Sequence, residues 1–565
     1  MKPIATVLSR LKQKNILLLW IGAILINIKS IFCDYDVDLA YAMVTSFRNI
    51  GGDRMFLQMW EPHQMSSFLC TALMYLFHTV TGSWEYAALF LQICGVLIYG
   101  LASLFLFRVL REYLPEHLTH YICILFFTLR PKQLVFPEFS NMLLLFTVLE
   151  FLFLIRFFQK GKRSDLILAA LMNSLSVLSY PTAVLLFPVS AGLILYYSAK
   201  KLRSVLIYTG ICLLSGIGYL TFFICRIGPE ALFGAIGNIL ASDSSHLHGK
   251  LSPYAYWCET LHCLLIFLSC LALCFLLGRC RILTTLKQKL TFMAASFFLT
   301  NLAFCIYNEA IGKGWTKMWS YTASFCILPL LIFGILTLSG CSANERQLFI
   351  TGTALSAGMF FCVLVLTNLS FITVVNYMIL SAMVSLIPLY RALNEASPES
   401  TPAAACAPLI TICLFLILHR GLLIQDFSIG SSMITGINNI IRQGPTKGIF
   451  CSYMQSYMTG CNYEDWQTFV REDDCLLIVG GHIDTTMYMY RDSIVSHYST
   501  ICTPTYDETL LKYWEKFPEK RPTVVAVDCW YGNLNYPEDS WIIKWLEENY
   551  PVRADGRYYA FFRRQ

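Results

Sequence analysis

The sequence predicts a polytopic α-helical membrane protein of about 13 transmembrane helices, with a small α/β domain at its C-terminal end. Three observations carry that prediction. Hydrophobic residues make up 56% of the chain and charged residues only 14%, whereas a soluble globular chain carries about 25% charged residues. Apolar runs near the ~20 residues that cross a bilayer as a helix recur up to residue 423. Beyond it the runs shorten and the charges rise, so 1–423 reads as the membrane domain and 424–565 as a separate α/β domain.

The predicted spans are 15–33, 84–107, 118–130, 138–157, 165–180, 182–198, 204–225, 257–278, 290–308, 320–340, 348–368, 371–390 and 406–423. The first follows Lys12 and Lys14 and has no small-x-small cleavage site, so it reads as an uncleaved anchor. The apolar stretch 66–81 belongs to the first outer loop, because counting it as a span breaks the charge pattern. With the N-terminus inside, the inner segments hold nineteen Lys and Arg and the outer ones, up to residue 423, ten. That bias predicts a cell-membrane protein with a cytoplasmic N-terminus and an extracytoplasmic C-terminal domain. The net charge of +6 belongs to those loops and gives no nucleic-acid surface. Most of the 22 cysteines are scattered and many lie in apolar runs, without metal-finger spacing; Cys451 and Cys461 could pair in an extracellular tail.

In the tail, 449–452, 475–479 and 523–527 read as buried strands. Helical stretches fall at 464–471, 507–517 and 539–549, and 552–562 reads as a hairpin about Asp555-Gly556. Strands alternating with helices predict a mainly parallel sheet. There is no GxGxxG or GxxxxGK[ST], hence no nucleotide-phosphate loop.

The chemistry concentrates in the first outer loop, 34–83. It opens with Asp34, Asp36 and Asp38, turns at Gly51-Gly52-Asp53, and continues through Trp60-Glu61-Pro62-His63-Gln64. A charge at the centre of a spanning helix costs about 2.5–3.5 kcal/mol on insertion scales, and a cluster kept at the surface marks a site. Loop solvation and helix capping by Asp are the plain alternative. Arg130-Pro131-Lys132 and Lys313-Gly314-Trp315-Thr316-Lys317 place cations at outer span ends. They are snorkelling anchors or ligands for a phosphate at the membrane surface. The long polar loop 226–256 holds Asp243, His246 and His248. It reads as a mobile loop over a groove rather than a metal site.

A first span leading straight into such a loop resembles the GT-C superfamily of polyprenyl-phosphate-sugar-dependent glycosyltransferases, nearest the protein O-mannosyltransferase and lipid A aminoarabinose transferase branches. In those branches an acidic pair is followed by an aromatic residue, a Gly-Asp, and a basic or His residue with Pro-Pro before a helix. Asp36-Val37-Asp38 with Tyr41 matches the first part, Gly52-Asp53 the second, and Glu61-Pro62-His63-Gln64 stands in the place of the third. The pair here is Asp–Asp rather than Asp–Glu, and there is a single Pro. The resemblance implies a GT-C-like membrane fold and inverting transfer of a sugar from a polyprenyl-phosphate donor to an acceptor hydroxyl at the outer face, in cell-envelope glycan or glycoconjugate assembly. The acceptor would be a glycan, lipid or protein. It makes Asp36 and Asp38 the candidate catalytic carboxylates. Asp53, Glu61, His63, Arg130, Lys132, Lys313 and Lys317 become candidate substrate ligands. Some relatives use a divalent metal, and Asp34, Asp36 and Asp38 offer the hard oxygens that Mg²⁺ or Mn²⁺ takes. Two other classes remain: a polyprenyl-linked-sugar transporter or flippase, which would show repeats and mid-membrane polar groups where here Glu150 is the main one, and a non-catalytic envelope-assembly protein on the same fold.

Overall fold

The computed structural model describes residues 2–242 apart from 62 and 133, then 322–366, 374–395, 407–426, 430–480, 485–490, 494–499, 507–535 and 540–564, with isolated positions in 265–296 and at 369. Lys313, Lys317, Asp243, His246 and His248 lie outside the described residues.

Six helices among the described residues are long and apolar enough to cross a membrane: Asn15–Cys33, Ala87–Leu110, Phe139–Lys160, Lys201–Ile227, Ala343–Leu364 and Asn376–Asn394. The chain therefore reads as a multi-pass membrane protein. In order the helices are α1 (Lys2–Cys33), α2 (Val37–Ile50), α3 (Phe68–Thr81), α4 (Ala87–Leu110), α5 (Glu116–Thr128), α6 (Phe139–Lys160), α7 (Arg163–Ser179), α8 (Leu186–Tyr197), α9 (Lys201–Ile227) and α10 (Pro229–Ser242). Helices Thr322–Leu336, Ala343–Leu366, Ile379–Glu395 and Ala407–Leu422 follow. Leu213, Leu214 and Ile217 of α9, Leu97, Leu101 and Leu104 of α4, and Leu17, Leu18 and Ile21 of α1 are exposed. Apolar surface on that scale is at home against lipid tails, not water.

The predicted thirteen spans are not all reached. Helices α5, α7 and α8, at 13, 17 and 12 residues, fall short of the ~20-residue crossing length. The predicted 257–278 and 290–308 lie largely outside the described residues. The expected loop 226–256 opens with α10, whose Leu232 and Ala235 are buried with Phe56 and Phe223. The fourth span starts at Phe139, because Glu138 caps α6 instead of entering it.

Helices α2 and α3 have 14 residues each, about 21 Å at 1.5 Å per residue. Like α5 and α8, both are shorter than the ~20 residues that cross a bilayer. They lie beyond the end of the bundle where α1, α5 and α7 finish and α4 and α6 begin.

The tail carries hairpin β1 (Leu423–Asp426)–β2 (Gly430–Met433), the short pair β3 (Asn439–Ile440) and β4 (Phe450–Cys451), and one larger sheet. That sheet runs β5 (Leu476–Val479), β6 (Val524–Trp530), β9 (Tyr559–Arg563), β8 (Val552–Asp555), with β7 (Asn533–Leu534) on β6. Helices Tyr453–Phe469, Asp507–Lys516 and Trp541–Asn549 pack on it. Ser452 starts the first of these, its Oγ accepting the Gln455 N–H.

The expected mainly parallel sheet is corrected to a mixed one. Among the described strand pairs β5–β6 is parallel, with an isolated parallel bridge from Leu476 to Ile494, and β6–β9, β8–β9 and β6–β7 are antiparallel. The terminal hairpin inserts its second strand beside β6, so β6–β7 and β8–β9 are joined by short turns while β6–β9 pairs across the helix Trp541–Asn549. Alternation sorts the strands: Leu476, Ile478, Val524, Ala526 and Phe561 enter one core, and Leu477, Val479, Val525, Val527 and Phe562 the other. The first core also contains Leu39, Met43 and Phe47 of α2, so the loop 34–83 and the tail share one interior. Cys451 and Cys461 are both buried and do not pair with each other.

Candidate active site

The three aspartates take separate places. Asp34 is buried; its Oδ2 lies 3.6 Å from Lys29 Nζ and 3.9 Å from Arg420 Nη2, so it ties α1 to the helix Ala407–Leu422. Asp36 adopts an extended conformation and caps α2: its Oδ1 accepts the N–H groups of Asp38 at 3.0 Å and Leu39 at 3.3 Å. Asp38 lies in the first turn of α2, and its Oδ2 accepts a 2.7 Å hydrogen bond from Lys132 Nζ. Both side chains of that pair are reachable from solvent, 21% exposed for Asp38 and 19% for Lys132.

Lys132 comes from the segment between α5 and α6 that runs back to Glu138. The Glu138 carboxylate caps α6, Oε2 accepting the Ser140 N–H at 2.7 Å and Oε1 the Asn141 N–H at 2.6 Å. Asp36, Asp38, Lys132 and Glu138 thus form one electrostatic group, three acids around one ammonium. Burial works against the Lys132 charge, yet Asp38 and Glu138 together hold its pKa above the ordinary lysine value. Burial pushes Glu138 up to about 7, against the pull of Lys132 and the two capped N–H groups. Burial and the neighbouring Asp38 likewise push Asp36 well above the usual carboxylate range.

An aromatic wall borders this group. Lys132 Nζ lies 4.1 Å from the centre of the Phe139 ring. His63 stacks on Phe139 at 4.7 Å, nearly parallel, and lies 5.0 Å from Tyr180. Tyr377 is 6.4 Å from Tyr180 and shares a 2.6 Å hydrogen bond with Ser140 Oγ. The loop 34–83, the α5–α6 segment, the end of α7 and a later helix therefore converge on one place.

The structure does not bring Asp53 and Glu61 to Asp38. Both surround Arg48, a buried cation of α2. Arg48 Nε donates to Asp53 Oδ2 at 2.8 Å, Nη1 lies 3.4 Å from Glu61 Oε1, and Nη2 donates to the carbonyls of Gln58 at 2.9 Å and Ser496 at 2.8 Å. Lys520 Nζ reaches Asp53 Oδ1 at 2.6 Å, and Ser499 Oγ reaches Glu61 Oε1 at 2.6 Å. Burial pushes Glu61 up, with Arg48 and Ser499 opposing. These two acids fasten the loop to the tail domain.

Arg130 is buried, two residues before Lys132. Its Nη1 donates to the carbonyls of Phe126, Phe127 and Leu129 at 2.8, 3.1 and 3.0 Å, and its guanidinium carbon stands 3.4 Å from the centre of the Tyr99 ring. Its Nε and Nη2 have no hydrogen-bond partner among the described residues.

Sequence reasoning missed Arg48 and Glu138. Arg48 is signalled by its place in the apolar stripe of α2, beside Phe47 and five residues before Asp53. Glu138 is signalled as an acid placed just before a span, on the same side as Asp36. The donor set does not fit a divalent cation as it stands. Lys132 occupies Asp38, backbone N–H groups occupy Asp36 and Glu138, and among the described residues no three His, Cys, Asp or Glu side chains group as a metal site.

No protein-family profile and no curated protein matches the chain. Among solved structures it is similar to the oligosaccharyltransferase of Archaeoglobus fulgidus, in a complex with Zn and sulfate. The TM-score is 0.47 at 12% identity, over 90% of this chain and 67% of that one. The oligosaccharyltransferase AglB of the same organism, in complex with an inhibitory peptide and a dolichol-phosphate, gives a TM-score of 0.43 at 11% identity, over 91% and 69%.

Proposed function

We propose that the chain is a membrane glycosyltransferase that moves a sugar from a polyprenyl-phosphate donor to an acceptor hydroxyl at the outer face of the membrane, with inversion, in cell-envelope glycan or glycoconjugate assembly. The observation that carries the reading is the Asp38–Lys132 pair, solvent-reachable and set at the end of the spans beside an aromatic wall. A lipid-linked donor presents its scissile bond at that depth.

In this reading Lys132 leaves Asp38 for the donor phosphate, a charge-assisted contact stronger than a neutral one. The freed Asp38 carboxylate takes the proton of the acceptor hydroxyl as its oxygen attacks the anomeric carbon. The bond between that carbon and the phosphate oxygen breaks, and its electron pair stays on the phosphate. The leaving group is a weak base, so it needs cations more than a general acid. Lys132 supplies one. Arg130, with two nitrogens lacking hydrogen-bond partners, supplies the second, and Lys313 and Lys317 stay candidates for the same charge. Asp36 positions Asp38 by capping α2. His63 and the rings around it hold the sugar face. Asp53 and Glu61 act on substrate only through the loop they fasten.

The test offers purified protein a panel of polyprenyl-phosphate sugars and measures release of the lipid phosphate. Asp38→Asn should lower turnover by about 10²–10⁴-fold, the contribution of a positioned base, while the protein still inserts and binds donor. Asp36→Asn, which can still cap, should keep much more. Near wild-type turnover in Asp38→Asn would place the base elsewhere.

A further inference from the structure

We infer that the cavity at the end of the bundle opposite Asp38, between the α6–α7 turn and the α8–α9 turn, binds the phosphate-bearing headgroup of an anionic phospholipid. The cavity measures about 220 Å³, and its lining includes Arg163, Lys200, Arg203, Ser204, Tyr197 and Phe158, with no carboxylate. The three cations have no ion pair and no side-chain hydrogen bond among the described residues. Carboxylates nearby are already taken: Asp165 by Arg156 at 3.2 Å and Glu112 by Lys160 at 2.5 Å.

A solvated basic edge would scatter its charges around the helix ends. Here α6 stops at Gly161, whose left-handed conformation (φ +65°) turns the chain sharply and sends Arg163 back across the opening. Lys200 and Arg203 enter from the start of α9, where Lys200 gives no side-chain cap to the first N–H groups. Ser198 and Ser204 are buried at the floor and hydrogen-bond each other at 2.8 Å. Phosphate oxygens suit cations and N–H donors at one end. The Phe158 and Tyr197 rings, 5.3 Å apart, continue the wall toward the apolar sides of the helices, where acyl chains would run. Basic pockets between helices at the membrane surface bind lipid headgroups in this way.

The experiment uses the full chain in a mild detergent, with native mass spectrometry of retained lipid after addition of phosphatidylserine or phosphatidylcholine of the same acyl length. Phosphatidylserine should be retained in preference, one molecule per chain. Removing charge with Arg163→Gln, Lys200→Gln and Arg203→Gln should weaken retention about fivefold for each residue, the scale of one basic side chain at an anionic membrane surface. Lys162→Gln with Lys201→Gln removes charges beside the cavity, and should change retention less than a single lining substitution. Equal retention of the two lipids would overturn the assignment, as would equal losses from the lining and the flanking variants. Displacement of the lipid by an equal concentration of inorganic phosphate would overturn it too, showing a site for the free anion. If the triple variant does not fold, Lys200→Gln alone, an exposed side chain, decides: a loss below twofold rejects the proposal.

Discussion

Glu138 sits in the candidate site without being a residue that motif reading selects. Its carboxyl is buried and capped by two N–H groups, yet it titrates at about 7 because burial outweighs them. The stability consequence has a definite sign. Below the ordinary glutamate value near 4.5 both folded and unfolded states carry the proton. Between 4.5 and about 7 the folded state keeps it and the unfolded state does not, so stability falls as pH rises through that window. Glu138→Gln, which stays neutral, should flatten that part of the profile. Thermal unfolding of the two proteins at pH 4.5, 6 and 8 checks this: the wild type should lose ground to the variant as pH rises. A constant difference across the series would remove Glu138 as the titrating group. At this scale the sequence was partly readable. Asp36 and Asp38 stand out because charges beside a span are expensive. Glu138 does not, because only the folded chain brings the end of the α5–α6 segment to α2. Asp53 and Glu61 are readable as charges but not as a pair around Arg48, since the partners Ser496, Ser499 and Lys520 are more than 400 residues away.

The α5–α6 segment that delivers Lys132 and Glu138 owes its path to one close approach. Gly95 of α4 lies against it so tightly that a Cβ there would stand 1.9 Å from the Val135 carbonyl oxygen and 2.8 Å from the Phe136 Cα. Backbone atoms cannot rotate aside as a long side chain does. Asn141 fixes the same segment from the other side, its Nδ2 donating to the carbonyls of Leu134 at 2.9 Å and Phe136 at 2.8 Å. Gly95→Ala should therefore displace Lys132 and Glu138 while leaving the span apolar. On the glycosyltransferase reading a 1 Å misplacement costs about 10²-fold in rate. Turnover should fall by that order, with insertion and expression kept. Gly100, five residues on, faces only a side-chain atom at 3.7 Å, so Gly100→Ala is the control and should change little. Equal effects from both would show that helix content, not the segment, is being read. Element types in the tail were legible because β5, β6 and β9 are short apolar runs. Their pairing was not, since strand direction in a sheet depends on connections that periodicity does not encode. The count of thirteen spans is not confirmed among the described residues: α5 and α8 are apolar but short, and 257–278 and 290–308 lie largely outside the described residues.

Across the whole molecule, the division at residue 423 marks a change of composition but not a break in packing. Tyr35, Leu39, Met43 and Phe47 of the loop 34–83 share a core with Trp466, Ile478 and Phe561 of the tail. Tyr41, Phe56 and Trp60 share the other with Tyr498, Tyr513 and Val525. Helix α2, which carries Asp38 at its start, is thus held between the spans and the tail sheet. Arg48, three turns along the same helix, is the polar fastener of that arrangement, joined by the Trp60 N–H to His497 carbonyl bond of 2.8 Å. Removing one partner of a buried ion pair costs about 3–5 kcal/mol, because the remaining charge stays buried and unpaired. Arg48→Ala takes from Glu61 its ion-pair partner, leaving it hydroxyl contacts such as that of Ser499, and leaves Asp53 to Lys520. It should lower the unfolding temperature of the purified protein clearly, and make the junction of loop and tail accessible to protease before the spans unfold. Arg48→Lys keeps a charge but has one ammonium where the guanidinium reaches two carboxylates and two carbonyls, so it should recover only part of the loss. Because the same helix carries Asp38, on the glycosyltransferase reading donor turnover should fall with the protease protection in both variants, in the same order. If Arg48→Ala unfolds at the wild-type temperature with the junction still protected, the tail is held by its apolar cores alone, and the acids around Arg48 have no fastening role.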